Sequence, residues 1–366
     1  MTATPWLPAQ VAAIAERPLP EAPLMSQADT RPLLPGTLLW DFWPLQEVDG
    51  RVASVAGGEL WMALSAPDGG DPLERHHRAR IRCLHRIGGD WLDLGLVFPD
   101  DWGPGSREWS GSAVLDRATD TVTLFYTAAG RSGEVRPTYV QRLFQSHGRL
   151  TVDADGPRLD GWSIPTESLA SDRAVYHPAD QVEGEVGTIK AFRDPAFFRD
   201  PTDGAAYLLF AASLGGSSAA FNGAIGLARS DGDVQGPWQL LPPIVHADGL
   251  NNELERPHML ARDGLYYLFW STQRSVFDPA GPIGPTGLYG MISHSPRGSF
   301  EPLNSTGLVV ANPRQRPMQA YSWLVLNDGR VASFVDQGGH DDRPFGGTIA
   351  PMLTLVLDGA AARVIA

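Results

Sequence analysis

Three acidic stretches join a carboxylate to neighbours that would hold it in one geometry. The first is Leu39-Trp40-Asp41-Phe42-Trp43-Pro44. An Asp between two tryptophans and just before a proline sits where an extended segment ends. It reads either as a carboxylate in an aromatic-walled pocket, as sugar chemistry requires, or as a turn cap beside core tryptophans. The second is Phe192-Arg193-Asp194-Pro195, followed closely by another Arg199-Asp200-Pro201. The later copy runs into Thr202-Asp203-Gly204 and reads as a turn, whereas the earlier one leads into apolar Ala196-Phe197-Phe198, which places Asp194 at the inner end of a strand. The third is Asn251-Asn252-Glu253-Leu254-Glu255-Arg256-Pro257-His258. In an extended chain Glu253 and Glu255 point to the same face. Two adjacent carboxylates cannot both ionise cheaply, so one pKa is expected to rise, and a carboxyl group held protonated beside Arg256 would suit general-acid catalysis. The competing reading, an exposed acidic loop, fits poorly with Leu254 and Pro257.

Between these lies Arg107-Glu108-Trp109-Ser110-Gly111-Ser112-Ala113, a tryptophan followed by small residues. It suits a flat aromatic face open to a sugar ring, or an ordinary turn into a core strand. Eleven tryptophans, several beside acidic residues, favour carbohydrate over other small ligands. His76-His77 lies inside the charge run Glu74–Arg80 and reads as a solvated face, not a metal site. Gly281 to Gly287 is too broken by proline to cradle phosphate and reads as a flexible rim loop.

Composition removes other chemistries. Lys190 is the only lysine among 29 basic residues, so a P-loop is excluded and a Schiff base would have to use that residue. Cys83 is the only cysteine, which excludes a disulfide, a cysteine-built zinc site and an iron–sulfur cluster. A net charge of −13 argues against nucleic acid as a partner. No apolar run is long enough for a membrane-spanning helix, and the first residues lack the pattern of a secretory signal. A cytoplasmic location is therefore the default, with export only by a signal-independent route.

The elements that must position these residues are strands. Glycine (40) and proline (31) together make about a fifth of the 366 residues, against about an eighth in average usage. Residues 1–37 read as a Pro/Ala-rich arm lying on the domain, with one short helix over Gln10 to Glu16. After it, short runs rich in Val, Ile, Leu, Tyr, Phe and Thr recur between turn signals: Leu60–Ala66, Ile81–Ile87, Leu92–Phe98, Ser112–Asp116, Thr121–Ala128, Tyr139–Gln145, Ala206–Ala212, Ala224–Arg229, Tyr266–Ser271, Tyr289–His294, Trp323–Leu326, Val331–Val335 and Leu353–Leu357. This is the pattern of consecutive antiparallel hairpins, without crossover helices. The chemical motifs centre on Asp41, Trp109, Asp194, Glu255 and Tyr321, separated by 68, 85, 61 and 66 residues. A four-stranded blade fits that spacing, and five of them fill residues 38–366. The expected fold is all-β, a five-bladed β-propeller, with a β-sandwich pair as the alternative.

Taken in order, Trp-Asp-x-Trp-Pro, Glu-Trp-Ser-Gly-Ser-Ala, Phe-Arg-Asp-Pro and Glu-x-Glu-Arg-Pro resemble glycoside hydrolase family 68, the levansucrases, inulosucrases and sucrose-cleaving β-fructofuranosidases. The resemblance runs from about residue 38 to about 357 and takes in Pro302-Leu303-Asn304, Gly307-Leu308-Val309 and Ala320-Tyr321-Ser322. It implies a five-bladed propeller with a central funnel-shaped pocket and a retaining mechanism on sucrose that needs no cofactor. By the same resemblance Asp41 is the nucleophile, Glu255 the acid/base and Asp194 the carboxylate that holds the fructosyl hydroxyls. Trp40, Trp109, Ser110, Arg193, Glu253, Arg256 and Tyr321 would line the sucrose pocket. An Arg or His of the family that meets the leaving sugar or the acceptor has no exact counterpart: strict counting reaches Gln273, and Arg274 comes one place late. Asn252 stands where Gram-positive members carry a calcium-binding Asp, so no metal is expected. The implied activity is sucrose cleavage with fructosyl transfer to fructan, sucrose or water. A mainly hydrolytic β-fructofuranosidase is the nearest alternative and a catalytically silent carbohydrate-binding propeller the remote one. Oligomeric state is not read from the sequence.

Overall fold

The computed structural model describes residues 3–184, 187–337 and 345–365, which include every candidate site residue. They are almost entirely strands and turns, arranged in four sheets. Within each sheet most neighbours in sequence pair antiparallel, as consecutive hairpins do. One sheet runs Phe192–Arg199, Ala206–Ser213, Gly223–Ser230, Gln239–His246. Another runs Glu255–Arg262, Leu265–Thr272, Gly287–Ser293, with Glu301–Pro302 and Leu308–Ala311 both on the third strand. A third is built on Ala320–Val325, Arg330–Val335, Leu353–Asp358 and Ala361–Ile365. The largest joins two meanders, one starting at Thr37–Glu47 and one at Arg107–Asp116. Their first strands meet in parallel, with Leu45 opposite Ala113.

The first strand of each meander faces the centre. Thr37–Glu47 packs on Arg107–Asp116, which packs on Phe192–Arg199, then Glu255–Arg262, then Ala320–Val325, which returns to Thr37–Glu47. Side chains stitch this ring across sheets. The Phe197 amide donates to Ser112 Oγ (3.0 Å), the Asp194 amide to Thr127 Oγ1 (2.9 Å) and the Val325 amide to His258 Nε2 (2.9 Å).

Ahead of the ring, Thr4–Pro5 adds a parallel strand to Gln239–His246, and Trp6 is buried edge-on against Trp270, Phe277 and Tyr289. The helix expected over Gln10 to Glu16 starts earlier, at Pro8, where a proline fits the first turn. It tightens to a 3-10 turn over Ala13–Glu16.

All five inner strands carry a bulge at their site end. The pairing register slips between Trp40 and Trp43, Trp109 and Gly111, Arg193 and Ala196, Glu255 and His258, and Tyr321 and Leu324. In four of them a non-glycine residue takes a left-handed backbone: Asp41 (φ 50°), Asp194 (φ 60°), Arg256 (φ 47°) and Ser322 (φ 60°). A bulge re-aims a side chain without ending the strand. The expectation that an extended segment ends at Asp41 is thereby corrected: the strand continues through it to Glu47.

Candidate active site

The bulges open onto a cavity of about 720 Å³ at one end of the ring. Its lining includes Trp40, Asp41, Trp109, Ser110, Arg193, Asp194, Glu253, Glu255, Arg256 and Tyr321, so residues read from five separated motifs meet in one place. Arg274 does not join them. It is exposed and begins a 3-10 turn, while the preceding Gln273 lines the cavity, as strict counting places it.

Asp41 projects from its bulge between strands. Ser110 Oγ donates a hydrogen bond to Asp41 Oδ2, which leaves the other carboxylate oxygen free of the serine. Trp40 and Trp109 flank this carboxylate. The Trp109 indole donates to the His76 carbonyl (3.0 Å), and the Trp40 ring meets the His76 ring edge-on. Both indoles are thus fixed as walls.

Arg193 organises the acidic side. Its guanidinium reaches Glu255 Oε1 at 2.8 Å, Glu253 Oε1 at 3.3 Å and Asp194 Oδ2 at 3.8 Å. These three carboxylates hold it firmly protonated against the opposing effect of its burial. Glu255 is held from both sides, since the Tyr321 hydroxyl donates to its Oε2. Its side chain keeps 19% exposure to the cavity, whereas Glu253 keeps 6%. The pair therefore divides: Glu255 faces the cavity and Glu253 lies behind it. Burial, reinforced by the charge of Glu255, pushes the Glu253 carboxyl up.

Asp194 is buried, accepts the Arg256 amide (3.3 Å) and is pushed up to about 7, first by burial and then by Glu255 and Asp41, against Arg193 and Arg256. The Arg256 side chain ties strands together. It donates to Ser322 Oγ (2.7 Å) and to the Phe42 carbonyl (2.8 Å), bridging three inner strands beneath the carboxylates.

Several lining residues escaped the sequence reading. The run Glu74–Arg80, read as a solvated face, contributes the 3-10 turn Pro72–His77, capped by Asp71, and brings Arg75, His76 and His77 into the cavity wall. Arg75 is buried, with its guanidinium 3.9 Å from the Phe345 ring centre and 5.7 Å from that of Trp40. Asp336, just beyond the strand Arg330–Val335, lies close enough to feel Arg75 and Asp41. Burial pushes its carboxyl up to about 6. A tertiary turn, not a local pattern, decides that this charged run is internal. The lone Asp after an apolar strand was the only signal for Asp336. The segment Gly281–Gly287 does not line the cavity.

Among the carboxylates lining the cavity, Asp41 and Glu255 each accept a hydrogen bond from a hydroxyl, and they stand on non-neighbouring strands of a ring with aromatic walls. The chain matches the levansucrase/invertase family model over residues 2–222 and 217–365. It is similar to levansucrase Lscβ of Pseudomonas syringae pv. actinidiae, 32% identical across 97% of this chain and 89% of that one. The structure resembles an inulosucrase from Halalkalicoccus jeotgali bound to kestose, at a TM-score of 0.89 and 36% identity over 99% and 95% of the two chains. It also resembles the catalytic domain of a β-fructofuranosidase from Microbacterium saccharophilum, at a TM-score of 0.87 and 26% identity over 100% and 91%. With a match along essentially its whole length, the chain belongs to glycoside hydrolase family 68, the levansucrase/invertase family.

Proposed function

We propose that this protein is a retaining, levansucrase-type fructosyltransferase that cleaves sucrose. An Asp41 carboxylate oxygen attacks C2 of the fructosyl unit as the glycosidic C–O bond breaks, and the Glu255 proton moves to the departing glucose oxygen. An acceptor hydroxyl then gives its proton to Glu255, attacks C2 and releases Asp41. Asp194 holds fructosyl hydroxyls, and Trp40, Trp109 and Ser110 wall the sugar and steady the nucleophile. The acceptor is a growing fructan, sucrose or water. The carrying observation is that Asp41 and Glu255 share one cavity, with Ser110 on the first and Tyr321 and Arg193 on the second.

The same reading takes the ring as a five-bladed propeller. The largest sheet divides at its parallel junction into two blades, the other sheets supply three, and the cavity is the mouth of the funnel. Residues 1–37 form an arm on this single catalytic domain of residues 38–366.

Incubation with sucrose, followed by separate assays of glucose and fructose, tests the reading. Glucose in excess over fructose is expected, with Asp41→Asn releasing neither. Equal release of both sugars would make the protein a hydrolytic β-fructofuranosidase, and no release would leave only a binding propeller.

A further inference from the structure

Lys190, the single lysine of the chain, lies outside the cavity lining and takes no part in the chemistry above. Its ammonium meets three oxygens from two distant segments. Nζ donates to the Ala220 carbonyl, to Asn222 Oδ1 (2.6 Å) and to Asn252 Oδ1 (2.9 Å). An ammonium has three N–H donors and no acceptor, so the set is complete. Asn252 is buried, and its amide nitrogen donates back to the Gly187 carbonyl (2.9 Å) and the Ile189 carbonyl (3.1 Å). Three residues beyond Lys190, Arg193 grips Glu253 and Glu255 on the same two stretches of chain. Residues 187–193 and 251–255 are thus zipped together, by neutral and ammonium contacts at one end and by the guanidinium at the other.

We propose that Lys190 is a positioning residue for the acid/base. Its tethered ammonium pins Asn252, and through it the two-residue lead into Glu253 and Glu255, at a node where oxygens from the Ala220–Asn222 turn converge. The proposal rests on Glu255 being the general acid. A flexible point charge with three converging donors suits this node; the planar fork of arginine does not. Without it two buried amide oxygens lose their donor, and the segment carrying Glu255 relaxes. A misplacement of about 1 Å at a catalytic group can cost about 100-fold.

The test compares Lys190→Ala with the parent protein on two substrates, sucrose and 4-nitrophenyl β-D-fructofuranoside, whose leaving group departs with little need of a proton. Expected is a fall in kcat/KM on sucrose of about 10- to 100-fold, carried by kcat with KM within about twofold, and a kcat/KM on the aryl fructoside within about threefold, because that ratio reports formation of the fructosyl-enzyme and not its release, in which Glu255 is the base. Equal losses of kcat/KM on both substrates, or an unchanged kcat/KM on sucrose, would overturn the proposal. Should Lys190→Ala fail to fold, Lys190→Met, which is close to lysine in length and unbranched but has no N–H donor and no charge, takes its place with the same criteria. Glu255→Gln on the same two substrates tests the underlying assignment separately. A Glu255→Gln protein whose kcat/KM is equally impaired on both would sink the acid role itself, whatever Lys190 does.

Discussion

Replacing Arg193 by methionine isolates the electrostatic centre of the site. The guanidinium is 4% exposed and stands 2.8, 3.3 and 3.8 Å from oxygens of Glu255, Glu253 and Asp194. At an effective dielectric near 20 these pairs are worth about 6, 5 and 4 kcal/mol before the cost of desolvating the cation. Breaking a buried ion pair by removing one partner typically costs about 3–5 kcal/mol net, and that is the loss of stability expected at pH 8. The sign with pH follows from the carboxyls. Asp194 sits at about 7 in the fold even with Arg193 present, far above its unfolded value near 3.9. Losing the cation raises it, and Glu253, further. Where the folded state binds more protons than the unfolded one, stability falls as pH rises. The penalty of Arg193→Met must therefore grow from pH 5 to pH 8, while histidine contributions common to both proteins cancel. Urea denaturation of parent and variant at the two pH values measures it. A penalty that is the same at both would refute the placement of three ionisable carboxyls around one cation.

Tyr321→Phe removes the hydroxyl on Glu255 Oε2 and leaves Arg193 as its remaining anchor. A hydrogen bond to a charged group is worth about 1.5–3 kcal/mol, so kcat on sucrose should fall about 10- to 150-fold. Steady-state kinetics check this, and a parental kcat would show that Arg193 alone positions the acid. Asp194→Asn, which keeps the shape of the protonated carboxyl, isolates a second pH effect. Folded Asp194 keeps its proton to about 7 while the unfolded chain releases it near 3.9, so its contribution to stability is full below about pH 4 and is lost between about pH 4 and pH 7. The Asp194→Asn protein is therefore expected to gain stability relative to the parent as pH rises from about 4 to about 7. Urea midpoints of the two proteins that kept a constant difference across that range would show that Asp194 is not the group holding the proton.

The chemistry of this protein was more legible in its sequence than the strands that carry it. Asp41, Asp194 and Glu255 stood out because a carboxylate beside tryptophan, arginine and proline is an uncommon local combination. Those same prolines concealed the strands. Pro44 read as closing an extended segment, and the runs around Pro195 and Pro257 entered none of the expected strands, yet each proline lies within an inner strand, Thr37–Glu47, Phe192–Arg199 or Glu255–Arg262. Proline lacks a donor, which matters little along an inner edge where part of the backbone has no partner strand. Outer strands with both sides paired, such as Thr121–Ala129 and Ala206–Ser213, carry no proline and were found nearly to the residue. Arg75 and His76 were misplaced for another reason. Nothing local distinguishes a charged turn facing solvent from one folded over Trp40. Gln273 rather than Arg274 lines the cavity because the 3-10 turn begins at Arg274 and carries it outward. The contacts of Lys190 lie 30 to 62 residues away and leave no trace in its neighbours.

The bulges explain how a ring of similar strands presents different groups to the cavity. At four of them the side chain before the left-handed residue and that residue itself line the cavity: Trp40 and Asp41, Arg193 and Asp194, Glu255 and Arg256, Tyr321 and Ser322. Asp41 and Asp194 occupy the left-handed position, whereas Glu255 occupies the one before it. The Asp41 and Glu255 carboxyls therefore leave the backbone at different angles although their strands are built alike. A left-handed backbone costs an ordinary residue about 1–2 kcal/mol, and Asp is among the few non-glycine types that adopt it readily. At residues 41 and 194 the conformational requirement and the chemical one thus select the same amino acid. Arg256 has no such excuse, and its side-chain hydrogen bonds, to Phe42 and Ser322, must supply the restraint that keeps it there. The strain and the clamp are then one device: the residue that bridges three strands is also the one whose amide holds Asp194 in place.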